Sequence, residues 1–211
     1  MSRGLGDVYK RQPLQGDKAL TRNLDGEQLS TLQVTNTGEQ PLWLRLDSTG
    51  YPNSAPAATS QVLQIERQFF GTDGQSKSLA FLHSGDLVLV KLDVKASQNV
   101  PDALVVDMLP AGLELENQNL ANSSANLQEN GTAVQEWLNQ MQQADIQHME
   151  FRDDRFVAAV AVNANQPVTL VYLARAVTPG TYHVPPSQVE SMYVPSWRAT
   201  GAADDMLIVV P

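Results

Sequence analysis

The 211-residue chain contains no cysteine, and this absence excludes several chemistries at once. Without a thiol, these residues hold no disulfide, no thiolate metal site, no cysteine nucleophile and no internal thioester. Cationic side chains are also scarce, because 14 Lys and Arg stand against 23 Asp and Glu, a formal charge of −9. Nucleic acid is therefore not an expected partner, since binding to a phosphate backbone needs a basic surface.

Long hydrophobic runs are missing as well. The longest apolar run, residues 156–162, has seven residues, whereas a membrane-spanning helix needs about 20. Residues 1–12 lack the apolar core of a signal peptide, and their basic, glycine-containing composition is typical of a linker. We therefore exclude residues 1–12 from the fold prediction as a non-native or linker-like segment, and expect no direct membrane insertion by this chain.

Most of the remaining sequence has the alternating pattern of half-buried β-strands. Residues 42–46 alternate after an Asn-Thr-Gly turn signal, which predicts a hairpin with residues 29–36. Residues 50–60 have linker composition and divide the chain into 13–60 and 61–211. In the second part, strands are predicted at 61–70, 79–82, 87–94, 103–109, 112–115, 146–151, 156–162, 168–177 and 206–210.

One segment has a helical period instead. Between Thr132 and Asp145, apolar residues fall on one face of a helix of about twelve residues, and Thr132 with Gln135 forms a capping-box sequence. Seven to nine short strands with one helix predict an all-β sandwich, with a single α-helix inserted between strands.

No constellation typical of an enzyme or a metal site is visible. The three histidines lie at least 35 residues apart, and His148 shares a strand face with Glu150 but lacks a third ligand. Asp153 and Asp154 are flanked by arginines, which indicates a charge-balanced turn rather than a catalytic pair. Nucleophile-elbow, phosphate-loop and dinucleotide motifs are absent too, so we expect no catalytic residue, no cofactor and no metal.

The most informative stretch is residues 182–195, YHVPPSQVESMYVP, which is followed by a tryptophan and an arginine. Its prolines lower the entropy lost on docking, and its Met, Tyr, Trp and Arg residues are those that interface cores enrich. The candidate interface residues are Met192, Tyr193, Pro195, Trp197 and Arg198. An alternative of equal weight is that the aromatic side chains close the open end of the sandwich.

Three segments carry a longer and more specific pattern: LVVDMLPAGLELEN (104–117), EFRDDRFVAAVAV (150–162) and TLVYLARAVTPGTYHVPPSQVESMYVPSWRATGA (169–202). They resemble the C-terminal macroglobulin-like domain of bacterial alpha-2-macroglobulins. PLWLRLDSTGYP (41–52) is similar to the end of the preceding macroglobulin-like domain. The resemblance implies a macroglobulin-like β-sandwich over 61–211, preceded by a partial β domain over 13–60. Tyr182 departs from the family pattern, in which phenylalanine is usual.

The resemblance also implies a function. Members of this family are periplasmic protease traps, anchored to the inner membrane by an N-terminal lipid, in which bait cleavage leads to covalent capture through a Cys-Gln thioester. The C-terminal domain would be non-catalytic, and it would pack on the thioester domain and shield it. The implied partners are that thioester domain, the target proteases and a bifunctional peptidoglycan synthase.

A stand-alone cell-envelope β-sandwich that adheres or binds carbohydrate is the alternative from another functional class. A solvent-exposed row of aromatic residues on one sheet face would favour the binding module. A proline-rich docking segment at an edge would favour the protease trap.

Overall fold

A computed structural model describes residues 21–50, 56–116, 132–203 and 206–211 of the chain. The chain divides into two compact units, Met1–Thr49 and Gly50–Pro211. Residues 50–60, which have linker composition, therefore lie in the second unit. Residues 1–12, predicted to be a non-native or linker-like segment, are outside the described residues.

The first unit contains one short helix, α1 (Gly26–Ser30), among its described residues. The carboxylate of Asp25 accepts a hydrogen bond from the Gln28 N–H (2.8 Å) and caps it. The predicted hairpin between 29–36 and 42–46 is wrong, because residues 21–50 contain no strand. A lone hairpin is marginal without a surface to cover its apolar face, and Leu42, Leu44 and Leu46 are all exposed.

The described part of the second unit is mostly antiparallel β-structure with one helix, as predicted. Its strands are β1 (Thr59–Gln61), β2 (Leu63–Phe70), β3 (Leu82–His83), β4 (Leu87–Ala96), β5 (Val100–Met108), β6 (Leu113–Leu115), β7 (Ile146–Arg152), β8 (Arg155–Val162), β9 (Val168–Ala176), β10 (Gly180–Tyr182), β11 (Gln188–Ser191), β12 (Arg198–Thr200) and β13 (Leu207–Val210). Ten strands form one sheet in the order β6-β9-β4-β2-β1-β12-β11-β5-β8-β7, and β10-β13-β3 form a second. Only the β13–β3 pairing is parallel among the described strand pairs.

The ten-stranded sheet folds back on itself to make the two layers of the sandwich. The Tyr172 ring in β9 stacks on the Phe156 ring in β8, with centroids 4.8 Å apart, although the two strands are distant in the sheet order. β1 joins the two halves by pairing with β2 on one side and β12 on the other. Val62, between β1 and β2, has a φ of +64°, which is rare for a β-branched residue and marks the bend.

β4 begins with a continuous apolar run because both of its faces are covered. Val88, Val90, Leu92 and Val94 face the core between the layers, whereas Leu89 faces the opposite side. That outer side is covered by helix α2 (Thr132–Gln143), whose apolar face packs on the outer residues of β4 and β9. Burying each such side chain stabilises the fold by about 1.5–3 kcal/mol. No helix in the described residues is long and apolar enough to cross a membrane.

Two parts of the strand prediction need correction. The turn at 71–74 forms, with Gly74 at a φ of +79°, but the predicted return strand at 79–82 does not pair with β2. Leu79 is buried in the core instead, and the short β3 that follows pairs with β13. Strands β10, β11 and β12 lie where the sequence indicated turns and an extended proline-rich segment.

Candidate interface site

The candidate interface residues lie on one β-hairpin, formed by β11 and β12. Its loop, residues 192–197, is called here the hairpin loop. The Ser191 N–H donates to the Trp197 carbonyl (2.9 Å), and the Trp197 N–H donates to the Val194 carbonyl (2.8 Å). The Met192 N–H donates to the carbonyl of Asp102 in β5 (2.9 Å). The loop backbone is therefore fixed both internally and to a neighbouring strand.

Both arms of the hairpin are anchored in the ten-stranded sheet. β11 pairs with residues 103–106 of β5, and β12 pairs with all three residues of β1. Val189 and Ala199, opposite each other on the two arms, are buried in the core. This anchoring gives the loop a defined position relative to the sandwich.

The side chains of the hairpin loop divide into two groups. Trp197 is half-buried and packs against the core, as the alternative of an aromatic plug predicts. Met192 and Tyr193 are 45% and 78% exposed, and Pro195 and Arg198 are exposed as well. The structure thus brings all five candidate residues together but turns Trp197 inward. Their role as an interface stays a prediction.

A buried polar cluster lies between the layers and reaches towards the hairpin. The Arg67 guanidinium donates to one carboxylate oxygen of Asp107 (2.6 Å) and to the Pro185 carbonyl (2.7 Å). The Tyr172 hydroxyl donates to the other Asp107 oxygen (2.7 Å). Burial, reinforced by the negative charge of Asp107, raises the pKa of Tyr172 well above its usual range. The cluster links β2, β5 and β9 to the segment that enters β11.

Sequence reasoning missed this cluster, although one signal was present. Arg67 occupies the same strand parity as Leu63 and Ile65, which both face the core. A charged residue at an inward position needs a buried partner. The alternation showed that Arg67 needs a buried partner. It did not show that this partner is Asp107, which is 40 residues away in the sequence.

The other charged motifs are structural. Asp154 pairs with Arg155 (2.5 Å), whose guanidinium lowers the pKa of that carboxyl, in the turn between β7 and β8. Glu150 pairs with Arg152 (3.0 Å) rather than with His148. In the described ranges, no group of three or more His, Asp or Glu side chains is placed to hold a metal ion.

Tyr182 occupies a position that a larger neighbour would block. A Cβ atom added to Gly112 would lie 2.5 Å from the Tyr182 ring, so the ring needs glycine beneath it. The Tyr182 hydroxyl donates to the carbonyls of Thr178 and Pro179 (3.2 and 3.1 Å). The hydroxyl therefore ties the turn before β10, a contact that phenylalanine cannot make.

The alternative of a carbohydrate-binding or adhesive module required a row of exposed aromatic residues. In the described part of the second unit, the exposed aromatic side chains are Phe81 and Tyr193. Phe81 precedes β3 in the three-stranded sheet, whereas Tyr193 lies in the hairpin loop. The described sheet faces carry no such row.

Two family models match the chain. Residues 63–196 match the MG10 domain of bacterial alpha-2-macroglobulin, and residues 8–62 match the CUB domain of the A2MG family. The CUB description differs from the macroglobulin-like domain predicted for 13–60. Its match also begins within residues 1–12.

Known relatives cover the same region. Alpha-2-macroglobulin of Escherichia coli K12 is 70% identical over 203 residues, which are 96% of this chain and 12% of that protein. A crystal structure of Salmonella alpha-2-macroglobulin reacted with methylamine is 71% identical with a TM-score of 0.81, covering 97% of this chain and 13% of that one. Native E. coli alpha-2-macroglobulin from domain MG7 to the C-terminus is 75% identical with a TM-score of 0.73, covering 77% and 25%.

The chain thus spans about one eighth of the length of the curated relatives that it matches. The MG10 model matches more than half of it, and the match to the Salmonella structure covers 97% of it at 71% identity. Alpha-2-macroglobulins are protease inhibitors and not enzymes. On these grounds the chain belongs to the bacterial alpha-2-macroglobulin family.

Proposed function

We propose that this chain is the C-terminal part of a periplasmic protease trap, in which the second unit performs no chemistry and shields the thioester domain of the full-length protein. The observation that carries the proposal is the exposed Met192–Tyr193 pair on a loop with a fixed backbone. Family membership supplies the context, and the hairpin loop supplies the surface.

An exposed aromatic and a neighbouring thioether on a fixed loop suit a docking surface. Large apolar side chains gain free energy when a partner removes them from water. A loop already held by hydrogen bonds to Asp102 and within itself loses little conformational entropy on docking. Met192 and Tyr193 are also of the types that interface cores enrich.

Such a surface can shield a thioester bond. The acyl–sulfur bond reacts when a small nucleophile, water or an amine, reaches its carbonyl carbon. Apolar side chains packed over the bond exclude those nucleophiles without reacting themselves. This chain has no cysteine, so the shielded bond would belong to a different domain of the full-length protein.

The test measures methylamine incorporation into the uncleaved full-length protein. The variants Met192→Ala and Tyr193→Ala should each raise the rate, because they open a path to the thioester. Phe81→Ala is the matched control, since Phe81 is 75% exposed but lies outside the hairpin. Equal rates for Tyr193→Ala, Phe81→Ala and the wild type would contradict the proposal.

The isolated chain should neither incorporate methylamine nor inhibit a protease, because bait and thioester would both lie elsewhere. We extend the proposal to an inner-membrane lipid anchor outside this chain and to association with a bifunctional peptidoglycan synthase. Cell fractionation of the full-length protein and co-purification of the synthase test these two points. Recovery in the cytoplasmic fraction would contradict the location.

A further inference from the structure

Arg198 differs from the other arginines of the second unit. The described part of that unit contains eight Lys and Arg residues, and six of them have a carboxylate oxygen within 4.0 Å. The two without an ion pair in the described ranges are Lys95 and Arg198. In a chain with a formal charge of −9, an arginine without a carboxylate partner is a departure that needs a reason.

The position of Arg198 supplies that reason. It is the first residue of β12 and directly follows the hairpin loop. Its neighbour Ala199 is buried, so alternation puts Arg198 on the outer face of the sheet. Glu190 is directly opposite on β11, yet the two side chains form no ion pair. The guanidinium is therefore available at the rim of the surface that presents Met192 and Tyr193.

We propose that Arg198 pairs with a carboxylate on the thioester domain that covers the hairpin loop. This inference rests on the proposed function and specifies the chemistry of the covering surface: apolar opposite Tyr193 and acidic opposite Arg198. A guanidinium at the rim keeps part of its water, and a carboxylate opposite it would add a favourable charge contact that a neutral surface does not offer. A carboxylate matches the fork of N–H donors with two parallel hydrogen bonds.

The charge pair sets the orientation of the docked domain. Apolar contacts at Met192 and Tyr193 are non-directional, and by themselves they allow several rotations of one surface on the other. An ion pair at the rim selects one orientation and disfavours the rest. Because the rim remains near solvent, salt weakens this selection.

The experiment uses the uncleaved full-length protein and compares Arg198→Glu, Arg198→Lys and Lys95→Glu. Lys95→Glu is the matched control, because it changes the net charge equally at the other unpaired cation, on β4, three strands from β12 in the sheet. The readout is the rate of methylamine incorporation, measured at about 50 mM and about 500 mM salt, where the screening lengths differ about threefold. Arg198 is exposed, so Arg198→Lys should leave the unfolding midpoint unchanged, whereas Arg198→Glu places a like charge opposite Glu190 and should lower the midpoint slightly.

Arg198→Glu should raise the rate about three- to tenfold at low salt, and by less at high salt. Arg198→Lys should stay near the wild-type rate, and Lys95→Glu should not change it. Tyr193→Ala, measured in parallel, separates the two ideas. If Tyr193→Ala raises the rate but Arg198→Glu does not, or does so equally at both salt concentrations, the acidic contact is refuted and the shield stands. If neither raises it, the shield is refuted as well.

Discussion

The buried cluster and the hairpin loop of the second unit depart in opposite ways from the usual distribution of side chains. In most proteins polar side chains lie at the surface and large apolar side chains lie inside. The cluster puts a guanidinium, a carboxylate and a phenol inside the sandwich, where Arg67 and Asp107 have side chains only 3% and 0% exposed. The loop puts Met192 and Tyr193 outside it. The first departure is compensated within the unit, because each buried group has a polar partner. The second has no compensation there, and our proposal accounts for it by a domain that covers the loop.

The largest expected effect tests the buried side of this comparison. Asp107→Ala should destabilise the chain by about 3–5 kcal/mol, because it leaves the buried Arg67 without its carboxylate partner. Denaturant unfolding of the chain measures this loss. Asp154→Ala is the control, since Asp154 is an exposed carboxylate with an arginine partner and should change little. A similar small effect for both variants would mean that the buried cluster is not a structural requirement.

Tyr172→Phe should have the next largest effect, about 1–3 kcal/mol, because it removes the hydroxyl donor to the buried Asp107 oxygen. The ring and its stacking on Phe156 are retained, so the loss reports the hydroxyl alone. Equilibrium unfolding at neutral pH measures it. An unchanged free energy of unfolding would show that the hydroxyl is not needed by the cluster.

The pH dependence of the Tyr172→Phe effect is a further test of the stabilising role of the Tyr172 hydroxyl. The pKa of Tyr172 is raised in the folded chain, so the phenol ionises first in the unfolded chain, near its ordinary value of about 10. The stabilisation is complete below that pH and is lost as the pH rises towards the folded pKa. The difference in unfolding free energy between wild type and Tyr172→Phe should therefore narrow above about pH 10. A constant difference from pH 8 to 11 would contradict this assignment.

Tyr182 is intermediate in burial between the buried cluster and the hairpin loop, since its ring is half-buried and its hydroxyl fixes a turn. In Tyr182→Phe, losing the hydrogen bond to Thr178 and Pro179 should lower the free energy of unfolding by about 0.5–1 kcal/mol. Thermal unfolding measures the change. A loss as large as that of Tyr172→Phe would show that burial is not what separates the two tyrosines.

The smallest effect on stability is expected at the exposed side of the comparison. Tyr193→Ala should change the free energy of unfolding by less than about 0.5 kcal/mol, because the side chain is exposed. Trp197→Ala, four residues after Tyr193 in the same loop, should destabilise more, since Trp197 packs on the core. If the two variants lowered the unfolding free energy equally, Tyr193 would belong to the fold rather than to a docking surface.

The elements that could be predicted from the sequence are those whose residues carry a strong hydrophobic pattern of their own. β4, β8 and β9 are long and apolar, and α2 has a clear helical period, so each was found within a few residues. β11 and β12 are four and three residues long and follow prolines, and besides pairing with each other they pair with β5 and β1, which lie far away in the sequence. Their assignment depends on long-range pairing, which alternation does not report.

The candidate site was predicted in composition but not in orientation. Residue types identified the segment 192–198, because Met, Tyr, Trp and Arg occur there together. A loop has no strand parity, so the inward turn of Trp197 and the outward turn of Tyr193 could not be distinguished. The hairpin predicted at 29–46 failed for a related reason, since alternation describes a face but does not supply the sheet that must cover it.

The pairing of β1 with β12 also constrains when the domain can mature during synthesis. Thr59 accepts a hydrogen bond from a residue 141 positions later in the sequence. At about 5–20 residues per second, the ribosome makes β12 roughly 7–28 s after β1. During that interval the two halves of the large sheet cannot be joined, and the arm that carries Arg198 does not yet exist. A nascent chain therefore passes through a period with an open sheet edge before β12 is made and the hairpin can form.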